Sequence, residues 1–203
     1  GRIWIGTAGG INIWDDQKHL MSSITANSAN GLTSNYIARF TKGADGSFYV
    51  SAWEAGLFKV VSGFDKPDGM KFEYIVDFAS QKITYALNAL WAIQNNQLFR
   101  ISIDSYVAKK INAFTKAGNG GDIHSLYYAP KASIWAGSVN GLIEYKPNLD
   151  SAYFHHIITG NDIAFNNIIS DSFGNIWAAA GNFIIKYNSA SKKSEIFPFE
   201  KDL

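Results

Sequence analysis

Four histidines, His19, His124, His155 and His156, are where acid–base or metal chemistry would first be sought. His155 and His156 are consecutive, and on a strand adjacent side chains point to opposite faces, so they do not make a paired ligand set. Asp15-Asp16 fails as a general acid/base pair for the same reason. There is no cysteine, which removes thiolate catalysis, disulfides and Cys-based zinc sites. The chain contains no Gly-x-Ser-x-Gly elbow, phosphate loop, Gly-x-Gly-x-x-Gly fingerprint or Asp-x-Asp-x-Asp calcium loop. What remains is binding chemistry. Arg39, His124, Asn166 and Asn167 carry donors and acceptors suited to hydroxyls or a carboxylate. Trp53-Glu54 joins a stacking face to a hydroxyl acceptor.

The elements that position these residues are given by an internal repeat. Asn175-Ile176-Trp177-Ala178-Ala179 recurs as Ser133-Ile134-Trp135-Ala136-Gly137 and Arg2-Ile3-Trp4-Ile5-Gly6. Weaker copies are Ala89-Leu90-Trp91-Ala92-Ile93 and Ser47-Phe48-Tyr49-Val50-Ser51. The aromatic anchors Trp4, Tyr49, Trp91, Trp135 and Trp177 are therefore spaced by 45, 42, 44 and 42 residues. A second segment follows each anchor, as in Gly56-Leu57-Phe58-Lys59-Val60 and Gly141-Leu142-Ile143-Glu144-Tyr145. A third precedes it with large apolar residues three apart, as in Ile37/Phe40, Ile123/Leu126 and Phe165/Ile168. The copy near Ile83-Thr84-Tyr85 is degenerate and its register is open. A looser fourth segment closes each unit, as in Met21 to Thr25 and Tyr153 to Ile157.

Each segment is short, β-branched or aromatic, and bounded by Gly, Asn, Asp or Ser. Four strands per period of 42 to 45 residues predict an all-β fold, a β-propeller of four-stranded blades. Nineteen strands in about five blades are expected in a single domain over 1–203. The blades run approximately 1–28 (incomplete), 29–77, 78–115, 116–159 and 160–200. Sheets buried on both faces read as near-continuous apolar runs, so the anchors are assigned to the core between blades. In this frame Arg39, His124, Asn166 and Asn167 fall on innermost strands, where they line a channel or bind ligand. Trp53 and Glu54 fall in a loop between second and third strands, on a rim.

Hydrophobic residues make up 47% of the 203 residues and charged residues 17%, enough for a core and unlike a disordered chain. A net charge of +1 gives no reason to expect a nucleic-acid or anionic-membrane partner. No run of 18 apolar residues is present, so no membrane span is expected.

Phe165 to Tyr187, with Asp171, Gly174-Asn175-Ile176-Trp177 and Tyr187, resembles the two-component regulator propeller repeat. Ile3-Trp4-Ile5-Gly6-Thr7 with Gly9-Gly10-Ile11, and Asn30-Gly31-Leu32-Thr33-Ser34-Asn35, are similar to its anchor and lead-in. Gly43 stands where that repeat has Asp, the third unit lacks both Asp and Gly, and Phe183-Ile184 replaces Gly-Leu. The resemblance implies a non-catalytic periplasmic sensor propeller of a hybrid two-component system, linked to glycan sensing and signal transduction. It also implies a larger, seven-bladed ring, with Lys201-Asp202-Leu203 leading into a further unit. The expected ligand is an oligosaccharide held by Arg39, Trp53, Glu54, His124, Asn166 and Asn167. No cofactor or metal is expected, and the partners are other domains of the same receptor or a second copy. The alternatives are a protein–protein interaction propeller and a propeller lyase or hydrolase, the latter resting on His124 with Glu54 or Asp122.

Overall fold

The structure, a computed structural model, describes residues 2–27, 29–64, 66–78, 80–117, 121–129, 133–157 and 162–199. Lys201-Asp202-Leu203 lies outside them. Nineteen strands and one six-residue helix, α1 (Asn112–Ala117), are found among the described residues. The chain forms two compact units, Gly1–Gln94 with Ile101–Ala108, and Asn95–Arg100 with Lys109–Leu203.

The first unit opens with a three-stranded antiparallel sheet, β1 (Arg2–Thr7), β2 (Gly10–Asp15) and β3 (Leu20–Ile24). A four-stranded meander follows: β4 (Ile37–Lys42), β5 (Phe48–Ala52), β6 (Gly56–Ser62) and β7 (Lys71–Val76). The third sheet has β8 (Ile83–Ala86), β9 (Ala89–Gln94), β10 (Gln97–Ser102) and β11 (Ala108–Lys110). The second unit adds two meanders. One is β12 (Ser125–Ala129), β13 (Ser133–Ser138), β14 (Gly141–Lys146) and β15 (Ser151–His156). The other is β16 (Phe165–Ser170), β17 (Ile176–Ala180), β18 (Phe183–Asn188) and β19 (Lys193–Pro198). Among the described residues the first sheet has three strands.

Three of the anchors stack one sheet on the next. Trp4 lies 4.7 Å from Phe48 and 6.0 Å from Phe40, both on the second sheet, and joins a core with Ile11, Val50 and Phe58. Tyr49 is buried and stacks on Tyr85 of β8 at 6.2 Å. Trp135 is buried among Ile168, Ile176, Ala178 and Ile185 of the fifth sheet. Trp177 and Trp4 are only half-buried. Trp4 sits on an edge strand. Trp177 shares its face with Ile169, 62% exposed, and Phe197, 43% exposed. That row is uncovered among the described residues.

The spacing of three in the leading segments comes from a β-bulge. Ile37 pairs with Ala52 and Phe40 with Val50, and the extra residue, Ala38, lies between Ile37 and Arg39. Phe165 pairs with Ala180 and Ile168 with Ala178, with Asn166 as the extra residue. One inserted residue turns the strand period of two into three while both apolar residues stay on one face. His124 lies just ahead of β12 and not on it, and its N–H donates to Gly137 O next to the Ser125–Gly137 pair.

The turns explain the departures from the repeat. Gly174, at φ 84°, closes on Asp171, whose N–H donates to Asn175 O. Gly43 makes the same backbone bonds with Ser47 and Gly46. Only the backbone of that position is needed, because Asp45 supplies the carboxylate to the Ser47 N–H. The third unit dispenses with both residues through a two-residue turn, Leu87-Asn88, at φ 51° and 53°. This fixes the register that the sequence leaves open: Ile83 opposite Ala92 and Ala86 opposite Ala89.

Two of the second-to-third-strand turns also carry a clamp. The Asn140 amide donates to Asp162 Oδ1 at 2.5 Å and accepts from Ile163 N–H at 3.1 Å. Asn96 does the same with Asp122 and Ile123, at 2.6 and 2.9 Å. Each clamp fixes the lead-in of the following sheet. Asn140→Ala removes both bonds and a residue suited to φ 62°. It is expected to cost about 1–3 kcal/mol in urea unfolding. A cost below about 0.5 kcal/mol, the ordinary range for a surface change, would remove the clamp from the account.

Candidate ligand-binding site

In the first unit Trp53 begins the β5–β6 turn, held by its N–H donating to Tyr36 O at 2.8 Å. Glu54 occupies the next position at φ 57° and is exposed. The turn brings the Trp53 and Tyr36 rings to 6.1 Å at 45°, and they are 39% and 47% exposed. Two adjacent exposed rings, each with a polar edge, form an amphipathic platform. Tyr36 was not singled out from sequence, because only the pairing of β4 with β5 brings it beside Trp53. Arg39 is exposed one step past the bulge on β4, at a shallow cavity of about 390 Å³ with Gly6, Ile37 and Phe40. No hydrogen bond or ring contact joins Arg39 to Trp53 among the described residues.

In the second unit His124 is half-buried, and Asn166 and Asn167 are exposed. Register sorts these residues into two classes. His124 matches the bulge positions Ala38 and Asn166, while Arg39 matches Asn167 and Ser125. Ser125 is buried and donates to Phe165 O at 2.8 Å. Asp122 is engaged by Asn96, so it serves the clamp.

A second constellation was not visible in the sequence. Glu144 on β14 is 6% exposed. Its Oε1 accepts from Ser133 at 2.9 Å, and its Oε2 lies 3.3 Å from His155 Nε2 and 3.5 Å from Lys146 Nζ. His155 Nδ1 is 2.9 Å from the Tyr187 hydroxyl. With that hydroxyl donating to Nδ1, a neutral imidazole donates through Nε2 to Glu144, and every partner is satisfied. His155 also stacks on Trp135 at 5.4 Å. Burial opposes the charged form of Glu144. The bonds from His155 and Ser133, with Lys146 nearby, outweigh it and hold the carboxyl below its usual range. His156, the next residue, is exposed, as strand alternation requires. Glu144, Ser133 and Trp135 border a cavity of about 690 Å³ that also reaches Asp171 and Ile176.

Asp171 is held down to about 2 by the indole N–H of Trp177, then by the Asn175 side chain, against the opposing effect of burial. Its backbone bonds to Asn175 and Phe173 add to this. A depressed carboxyl stabilises the fold fully above about pH 4, and the contribution is lost as pH falls toward 2. Asp171→Asn is therefore expected to flatten the loss of thermal stability across that acid interval. A variant whose stability falls as steeply as that of wild type would contradict the assignment.

No family model matches the chain, and no curated protein matches it. Solved structures do. The extracellular domain of the hybrid two component system BT3049 from B. thetaiotaomicron is similar at TM-score 0.77 and 19% identity, over 100% of this chain and 27% of that one. The extracellular domain of BT4673 from the same organism is similar at TM-score 0.77 and 17% identity, over 96% and 26%. Virginiamycin B lyase from Staphylococcus aureus is similar at TM-score 0.73 and 15% identity, over 98% and 66%. The chain thus spans about a quarter of the length of the two extracellular domains. No helix among the described residues is long and apolar enough to cross a membrane. Together with the five antiparallel sheets, these likenesses make the chain an all-β protein built of β-propeller blades.

Proposed function

We propose that this chain is a ligand-sensing propeller segment of a periplasmic receptor, non-catalytic in itself, that takes an oligosaccharide on the Trp53–Tyr36 platform. The observation that carries this reading is the pair of exposed rings that strand pairing brings together at the β5–β6 turn, with exposed Glu54 next in sequence to Trp53 as a hydroxyl acceptor. Sugar rings present C–H faces to aromatics and hydroxyls to carboxylates, and this edge offers both. The fold likeness to extracellular domains of hybrid two-component systems supports a sensor. Arg39, His124, Asn166 and Asn167 serve as secondary polar contacts in this reading.

In cells carrying the full-length receptor, oligosaccharide-dependent reporter expression tests the site. Trp53→Ala and Tyr36→Ala are each expected to raise the half-maximal oligosaccharide concentration about tenfold, the equivalent of 1.4 kcal/mol. Unchanged responses in Trp53→Ala and Arg39→Ala alike would remove this site and leave the sensor reading without a contact surface here.

The uncovered row of Ile169, Trp177 and Phe197 favours a second role, association with another chain or a second copy. Light scattering across a concentration series is expected to show growing mass, and Ile169→Lys to suppress it. A constant monomer mass at all concentrations would set that role aside.

A further inference from the structure

The fourth sheet departs from its counterparts at two positions that touch. Glu144 pairs opposite the anchor Trp135. The same place is held by Ile13 opposite Trp4, Lys59 opposite Tyr49 and Lys186 opposite Trp177. Lys186 lies 5.8 Å over the Trp177 ring and pairs with Glu195 at 3.1 Å. His155 pairs opposite Leu142, where the other sheets have Ile24, Val76 and Phe197. Phe197 stacks on Trp177 at 5.9 Å much as His155 stacks on Trp135. The fourth sheet has thus exchanged an ammonium or aliphatic group for a carboxylate, and an apolar group for an imidazole that holds that carboxylate.

The result is a fixed anion at a cavity of about 690 Å³. A carboxylate offers roughly four acceptor sites. Ser133, His155 and Lys146 occupy three at Glu144. Lys146 is a loose partner, 3.5 Å away on a side chain 41% exposed. Asp171 adds a second carboxylate to the lining, and Ala129, Trp135 and Ile176 supply apolar surface. Among the described residues no group of three His, Cys, Asp or Glu could hold a metal ion, so a metal is not the fitting cation.

We propose that this cavity binds a small organic ammonium ion, its nitrogen paired with Glu144 and its apolar body against Ala129, Trp135 and Ile176. An ammonium brings three donors and a positive charge to an acceptor already desolvated and oriented by Ser133 and His155. Lys146 is then a competitor for the same oxygen. The site uses residues of the second unit alone and stands independently of the oligosaccharide reading.

Benzylammonium and benzyl alcohol share shape and differ in charge, and titration of each, read by backbone amide NMR shifts of Ser133, Glu144 and Lys146, tests the proposal. Benzylammonium is expected to give saturable shifts at a Kd at least tenfold below that of the alcohol. Lys146→Met is expected to tighten the amine severalfold by removing the competitor. Glu144→Gln is expected to weaken it at least tenfold and leave the alcohol unchanged. Equal binding of amine and alcohol, no saturable shift with the amine, or a Lys146→Met variant that binds it no better would each overturn the proposal. Should Glu144→Gln not fold, the amine-to-alcohol ratio and Lys146→Met decide.

Discussion

A sheet that is apolar on both faces is stable only if each face is covered, and here the residue that reaches across to the cover is the aromatic in the middle of the second strand. Trp4 reaches Phe40 and Phe48, Tyr49 reaches Tyr85, and Trp135 reaches the Ile168–Ile185 cluster. Each large ring removes roughly 150–250 Å² from water, more than any aliphatic residue at that place could. The remaining features serve this contact. The bulges keep two apolar residues of the leading strand on the covered face, and the turn clamps set where the next sheet begins.

This dependence explains why the fold was legible in the sequence. A residue that must cross an interface once per sheet recurs at a fixed period, and Trp is conspicuous. The strands after the anchors of the second and fourth sheets, β6 and β14, were legible because both their faces are largely buried, which gives near-continuous apolar runs. The third unit's first strand was not, because its turn is made by Leu87-Asn88 at positive φ, without the glycine that usually marks such a turn. The spacing of three in the leading strands was visible, but its cause was not. A bulge has no residue signature of its own when Ala38 and Asn166 both serve.

Chemistry was harder to read than architecture. Trp53 was visible as an aromatic where other units have small polar residues, yet its partner Tyr36 is seventeen positions earlier and meets it only through strand pairing. Arg39 and His124 lie in matching segments of their units but one position apart, His124 at the bulge position and Arg39 one step past it. Glu144 and His155 lie on neighbouring strands, and their contact exists only in the register that sets Leu142 opposite His155. From the sequence Glu144 is one more charged residue on a third strand, next to Lys59, Arg100 and Lys186 in the other units. Its change of sign acquires meaning when Ser133 and His155 are found around it.

The most direct measurement of the central claim compares Trp135→Ala with Trp177→Ala in urea unfolding of the same chain. The two residues hold the same place in their sheets, and only Trp135 is covered by a following sheet among the described residues. A loss of about 3–5 kcal/mol is expected for Trp135→Ala, as for other buried large-to-small changes, and no more than about half of that for Trp177→Ala. Equal losses would contradict that claim, because the anchor would then stabilise its own sheet and not the contact with the next.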